Sequence, residues 1–527
     1  MNETELLLLV LLVALPGLSV VARQIDIPYP ILLVLGGVVL GLIPGLPSPE
    51  LEPDLVLVIF LPPLLYVAAF FADLRDLRAN VRPISLLSIG LVLLTAAVVA
   101  VAAHHVLDLP WAAAFVLGGV LAPTDPIAAT AIMRRLGVPR RQVNVIEGES
   151  LVNDGTALVV YRAAVAAAIG GSFSIGSATL DFVLGIAGGI AVGLIVGWLV
   201  AEARRRIDDV PTEVTISLFS GYAAYLPAEQ LHVSGVLAAV TAGIYLGLRA
   251  PEISTAQMRL QGFATWELVQ YLLNGVLFVL IGLQLPPVVE GLDDSRSLAT
   301  LVAYGALFSA IVVGTRIVWL QTVVYVIRAI DRRPSQRARR TSWRERMIGG
   351  WSGMRGAVSL AAALAIPLET DAGAPFPGRD LIIFITFCVI LATVVGQGLT
   401  LPLLIRTMGV HADDGDEQEE LQARLTAAKA ALDEIDRLQE EGWVREETLE
   451  RMRALYRYRK RRFAARAGKV EDDGYEDRSQ TYQRAVRSVL SAQRSAIVDL
   501  RNSGEISNEV MHRVERELDL EDTRLEI

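Results

Sequence analysis

The chain of 527 residues has a single cysteine, Cys388. With no second thiol it can build neither a disulfide framework nor a cysteine-rich metal site, and its apolar surroundings in the sequence make it a lipid-facing or packing residue. Charge is also scarce: 20% of the chain is Asp, Glu, Lys or Arg, against 53% hydrophobic. What charge there is gathers at one end. Residues 411–527 carry 28 acidic and 21 basic side chains, out of 57 and 48 in the whole chain. An apolar body suited to a membrane is therefore followed by a soluble tail. The net charge of −9 arises mostly in that tail and gives no footing for a nucleic-acid partner. The tail contains no phosphate loop, metal motif or nucleotide fingerprint. The first apolar run, from Leu6 to Val21, lacks the basic flank of a signal peptide, since Glu3 and Glu5 precede it, and it reads as a retained first helix.

A membrane-spanning helix needs about 20 apolar residues. Applied along the chain, that length gives thirteen expected spans, at 5–22, 29–46, 54–72, 83–103, 111–133, 143–169, 176–201, 212–226, 233–249, 262–285, 297–328, 346–368 and 380–406. The expected fold is thus an all-α polytopic membrane domain over 1–408, with a helical domain over 409–527. One set of alternate loops is basic, with Arg75, Arg78 and Arg82, Arg134 to Arg141, Arg204 to Arg206, and the stretch from Arg328 to Arg346. The other set is acidic or neutral, with Glu50 and Glu52, Asp108, the segment around Phe173, Glu229, Asp293 and Asp294, and Glu369. The positive-inside rule then puts the N-terminus outside and the tail in the cytoplasm. Thirteen divides as six, one and six, which sets two repeats in opposite orientations and pairs the fifth span with the twelfth. Both carry helix-weakening residues, Pro123 and Pro126 in one, and Gly349, Gly350, Gly353 and Gly356 in the other.

A charge at mid-bilayer costs roughly 2.5–3.5 kcal/mol, so every ionisable residue inside a span needs a reason. Asp125, between two prolines, lies about 13 Å in from Arg134 along a helix, and Asp154 about 19 Å in from Arg141. The prolines release carbonyls, that of Thr124 among them, to face a cation. On the sixth span Ser150 and Asp154 share one helix face, with Glu149 and Asn153 on the adjacent one. Arg316 and Arg355 reach about the same depth. Three carboxylates against two guanidinium groups leave one negative charge for a proton or cation to neutralise. Alternatively, some of these groups pin helices together as buried pairs, a reading that fits an Arg316–Glu149 pair better than it fits Asp125 and Asp154.

The motifs Thr124-Asp-Pro126, Gly148-Glu-Ser-Leu-Val-Asn-Asp154 and Gly353-Met-Arg-Gly356 resemble the monovalent cation:proton antiporter family of the bacterial NhaP and eukaryotic Na+/H+ exchanger type, over roughly residues 1–408. The resemblance implies that Asp154 is the essential carrier. It also implies a cation shell of Asp125, Glu149, Ser150, Asp154 and the Thr124 carbonyl, with Asn153 in support. It further implies an arginine paired with the motif glutamate, matching Arg316, and a second arginine matching Arg355. It implies a homodimer, an elevator-like movement and electroneutral exchange.

The expected activity is therefore exchange of Na+ or Li+ for H+ across a bacterial-type plasma membrane. It needs no enzyme chemistry and no cofactor beyond the transported ions. K+/H+ exchange on the same fold, or a cation channel, are the competing readings. Glu147, one or two turns nearer the cytoplasmic mouth, is expected to line a solvated funnel. Glu267, Asn274 and Gln284 are expected in helix packing or as cavity lining, and His232 at the surface. In the tail Leu421, Leu425, Ala428 and Leu432 keep a helical period, and Gly442, Gly468, Gly474 and Gly504 divide the segment into four helices. Its acidic start and its basic cluster from Arg457 to Arg466 can bind each other, a partner subunit or anionic lipid, in a regulatory or dimer-stabilising role.

Overall fold

The computed structural model describes residues 3–25, 27–44, 53–170, 175–290, 297–330, 341–410, 415–471 and 474–525. The loops around Glu50 and Glu52, Phe173, Asp293 and Asp294, and most of the basic stretch before Arg346 lie outside the described residues. Apart from one isolated bridge between Glu369 and Pro375, the described residues form helices and their connections. The chain divides into two compact units, Met1–Ala412 and Asp413–Ile527.

Each expected span falls on a helix or on a helix broken in two. Seven described helices are long and apolar enough to cross a membrane. Shorter apolar helices include Tyr29–Gly41 and Trp111–Leu121. The short eighth segment is a helix of 21 residues, Val210–Gln230. It starts where the Asp209 side chain accepts a hydrogen bond from the Thr212 amide, with a proline in the first turn, so an orphan donor is satisfied and the ring sits where no hydrogen bond is lost. Gly235–Ile253 begins the same way at Ser234, and Trp343–Trp351 begins with a capping box between Ser342 and Glu345. Two long helices contain a π-turn, at Leu86–Leu91 and at Ala392–Gln397.

Unit one sorts into two bundles. Glu3–Gln24, Tyr29–Gly41, Pro53–Phe70, Ile175–Arg204, Val210–Gln230, Gly235–Ile253 and Ala256–Leu283 pack chiefly on one another. The segments 81–107, 111–135, 140–170, 298–330, 343–364 and 379–408 form the second set. Lipid supplies no hydrophobic drive between helices, so close approach depends on small side chains. In the first bundle Gly37 lies against the Val279 carbonyl and Gly282 against that of Val34, so a Cβ at either would strike backbone.

The first bundle also contains a buried ion pair. Arg204 and Glu213 are 5% and 1% exposed. The Arg204 Nε donates to Glu213 Oε1 at 3.0 Å and its Nη2 binds the same oxygen. The Ser254 hydroxyl donates to that oxygen at 3.1 Å. Three helices are thereby tied at one point.

Unit two consists, among the described residues, of helices Gly415–Glu441, Glu446–Arg466, Tyr475–Asn502 and Asn508–Leu525. Gly442, Gly468, Gly474 and Gly504, which lie in the connections, all have positive φ, a conformation that costs glycine little. Leu421, Ala428 and Ile435 are buried in the first helix, with Leu449 and Phe463 buried in the second. Arg466, at the end of the basic cluster, reaches Glu417 at 3.7 Å, and Arg453, just before the cluster, reaches Asp436 at 2.9 Å.

Removing one partner of a buried ion pair strands the other charge, at a cost of about 3–5 kcal/mol. Glu213→Ala is therefore expected to lower the melting temperature of the detergent-solubilised protein, read by size-exclusion chromatography after heating. Adding Arg204→Met should recover most of the loss. A single variant as stable as the parent would show that the pair does not hold these helices together.

Candidate functional site

The fifth span stops as a helix at Leu121 and resumes at Ile127; the twelfth stops at Trp351 and resumes at Ala357. A broken helix leaves backbone donors and acceptors without intrahelical partners, and in a membrane they must find others. Here the two breaks satisfy each other. The Asp125 amide donates to the Met354 carbonyl at 2.8 Å, and the Arg355 guanidinium donates to the Pro123 carbonyl at 2.9 Å. The Arg355 amide donates to the Thr393 hydroxyl on the last helix at 3.0 Å.

The glycine motif that opens the twelfth span is explained by its neighbours. A Cβ on Gly356 would collide with the Asp125 carboxylate, and one on Gly353 with the Arg316 side chain. The Gly349 carbonyl accepts from Arg316 Nε at 3.0 Å. Only glycine lets the Asp125 and Arg316 side chains lie directly against this segment.

Arg316 and Glu149 are 2% and 1% exposed and form a two-pronged pair, Nη1 to Oε1 at 2.5 Å and Nη2 to Oε2 at 2.7 Å. The Thr124 hydroxyl donates to Glu149 at 3.2 Å. It also accepts from the Asn153 amide at 2.7 Å, and the same amide lies 3.4 Å from the Thr124 carbonyl. Glu149 and Asn153 thus use their helix face to hold the fifth and eleventh spans.

The adjacent face carries Ser150 and Asp154, 9% and 7% exposed. The Asp154 carboxylate accepts no hydrogen bond from any described residue, and Asp125 is near enough to act on it electrostatically. Among the described residues the Asp125 carboxylate accepts only the Ile127 amide, at 3.0 Å. With Glu149 paired to Arg316, the other charged side chains of this centre are the half-buried Asp125 and the buried Asp154 and Arg355, whose formal charges sum to one negative. No group of three or more His, Cys, Asp and Glu residues gathers at metal-binding range among the described residues. Glu149 is turned to Arg316, whereas Asp125 and Asp154 meet no guanidinium among the described residues.

Other expected residues fall outside this centre. Glu147 is paired with Arg134 at 2.7 Å and is substantially exposed. Glu267 and His232 are exposed. Asn274 and Gln284 are buried in helix packing, and Cys388 lies against Gly305. Four participants were not singled out from the sequence: the Pro123 and Met354 carbonyls, Thr393, and Tyr29, which lies close enough to Asp125 to sense its charge. A carbonyl carries no residue signature. Thr393, however, belongs to the run Thr393-Val-Val-Gly-Gln397, whose two polar residues inside an apolar span were a usable signal.

Broken helices crossing at a buried cluster of charge, within a bundle of apolar helices, define a polytopic membrane transporter of ions. The model of the family described as "Sodium/hydrogen exchanger, transmembrane" matches residues 7–407, and the chain belongs to that family. It is 38% identical, over 98% of its own length and 96% of the relative's, to an uncharacterized Na+/H+ exchanger of Mycobacterium bovis. It is 33% identical to a sodium, potassium, lithium and rubidium/H+ antiporter of Bacillus pumilus, over 76% of this chain and 61% of that one. In fold it resembles the sodium proton antiporter MjNhaP1 of Methanocaldococcus jannaschii, with a TM-score of 0.58 at 20% identity, covering 77% of this chain and 99% of that one.

If the glycines make room for the crossing, Gly356→Ala and Gly353→Ala should reduce cation-driven proton movement in membrane vesicles by about tenfold or more, the order of effect that a misplaced site produces. Gly314→Ala, with nothing within 4 Å of the added methyl, should leave it unchanged. Equal activity in all three would show that the breaks tolerate side chains.

Proposed function

We propose that the protein exchanges Na+, or Li+, for H+ across the plasma membrane, with cation and proton competing for Asp154. The observation that carries this reading is a buried carboxylate, Asp154, with no hydrogen-bonded partner and a second carboxylate nearby. Burying such a charge is costly unless something neutralises it. A proton on the carboxylate, or a cation held between Asp154 and Asp125, would do so. If only the neutralised centre crosses between the two sides, exchange follows from that competition alone.

In this reading the cation meets Asp154, Asp125, Ser150 and the oxygens of Thr124. Asn153, Arg316 and Arg355 hold the geometry, and Glu149 acts through Arg316. Hard oxygen donors suit Na+ and Li+. Two carboxylates offset by Arg355 leave room for one cation or one proton, which makes the exchange electroneutral. The moving part is the bundle that contains the crossing, and the first bundle serves as its scaffold in a homodimer. Thirteen crossings in two inverted repeats set the N-terminus outside and the tail in the cytoplasm, where unit two regulates transport or steadies the dimer. A second reading, K+/H+ exchange at the same residues, is supported by the Bacillus relative, a sodium, potassium, lithium and rubidium/H+ antiporter.

In everted vesicles carrying an imposed pH gradient, Na+ and Li+ should dissipate the gradient at lower concentrations than K+. Asp154→Asn should abolish the response to all three cations. An active Asp154→Asn variant would overturn the role given to that carboxylate, and equal or stronger response to K+ would favour the second reading. Truncation after residue 410 should shift the pH at which exchange is half-maximal or lower the melting temperature, and a truncated protein matching the parent in both would remove the proposed role of the tail.

A further inference from the structure

Gln397 occupies an unusual position in a membrane domain. It is 3% exposed, and among the described residues neither its amide nitrogen nor its amide oxygen has a hydrogen-bond partner. It closes the π-turn Ala392–Gln397. Turns of that kind are rare within α-helices and occur often at functional sites.

Its surroundings locate it beside the crossing. Thr393, four residues earlier and so on nearly the same face, takes the Arg355 amide. Gly398, the next residue, has Ile31 and the end of the Met354 side chain as its neighbours, and the Met354 carbonyl is the acceptor for the Asp125 amide. The π-turn packs on the Tyr29–Gly41 helix and on the Leu298–Ile330 helix that carries Arg316. Gln397 therefore sits in the second bundle where it meets the first, one helical turn from the Thr393 that holds the break of the twelfth span. Two further atoms of this cluster are also buried without partners, Asn153 Oδ1 and Arg355 Nε.

A buried amide with both ends unsatisfied is destabilising, and an apolar side chain of similar shape would remove the penalty. Its presence is accounted for if the amide meets something during transport. We infer that Gln397 is a cation-facing group of the transport site, whose amide oxygen supplies a neutral hard donor to the alkali cation or its attached water. A neutral oxygen binds a cation and has no affinity for a proton in the physiological range. Gln397 would thus set the affinity and ranking of cations without setting the pH dependence. This inference rests on the antiport reading and goes beyond it by adding a residue that determines specificity.

The test compares wild type, Gln397→Met and Gln397→Asn in vesicles, with Na+, Li+ and K+ each titrated as the probe. Gln397→Met should melt at or above the wild-type temperature, while half-saturating Na+ rises about three- to tenfold and the order of the cations changes. The pH profile at saturating cation should stay as in wild type. Gln397→Asn, which keeps an amide on a shorter arm, should fall between the two. Unchanged half-saturation for all three cations in Gln397→Met would overturn the inference. So would a melting temperature lowered in both variants, which would make the amide a structural group. If wild type itself shows no exchange, the antiport reading fails; if wild type exchanges and Gln397→Met matches it, only the role of Gln397 fails.

Discussion

The mutual satisfaction of two broken helices is the constraint on which the rest of the membrane unit depends. Within a membrane a free carbonyl or amide has no water to fall back on, so neither break is stable unless the other is in place. The amide of Asp125 and the carbonyl of Met354 meet, and Arg355 spans from one break to the Pro123 carbonyl of the other. These contacts fix the Asp125 backbone beside the Asn-Asp pair of the sixth span. The glycines at 353 and 356 follow from the same demand, because the side chains of Arg316 and Asp125 occupy the space that their Cβ atoms would take.

Around this junction the charges divide into two kinds. Glu149 and Arg316 neutralise each other in a tight, fully buried pair that also engages Thr124. Such a pair is costly to bury but costlier to break, which suits a structural tie across three helices. Among the described residues Asp125 and Asp154 have no such partner, and the proposed exchange draws on that difference. Asn153 and Asp154 are consecutive, so the helix turns them onto adjacent faces, and a single segment supplies both the rigid tie and the open carboxylate.

Much of this was legible in the chain. Hydropathy located the helices because length and apolarity are properties of a segment by itself, and the prolines at 123 and 126 and the glycines from 349 to 356 marked both breaks. Asp125, Glu149, Asp154, Arg316 and Arg355 stood out because a charge in an apolar run is an anomaly in any context. Thr393 and Gln397 gave a weaker signal, two polar residues in one apolar span, and Tyr29 gave none, since a hydroxyl or an amide acquires its full meaning only from what faces it. The π-turn at Ala392–Gln397 was equally hidden, because no residue in Ala-Thr-Val-Val-Gly-Gln demands it.

The order of residues alone set the number and extent of apolar segments, the positions where helices must weaken, and the charged helical character of the tail, all of which depend on local chemistry and periodicity. Which charge pairs with which was decided by the packing of distant segments. Glu149 and Asp154 are five residues apart on one helix and chemically alike, yet only Glu149 meets a guanidinium, because helical rotation turns it toward Arg316 and turns Asp154 to the neighbouring face. The separation of a paired carboxylate from one without a guanidinium partner is therefore a property of the assembled bundle.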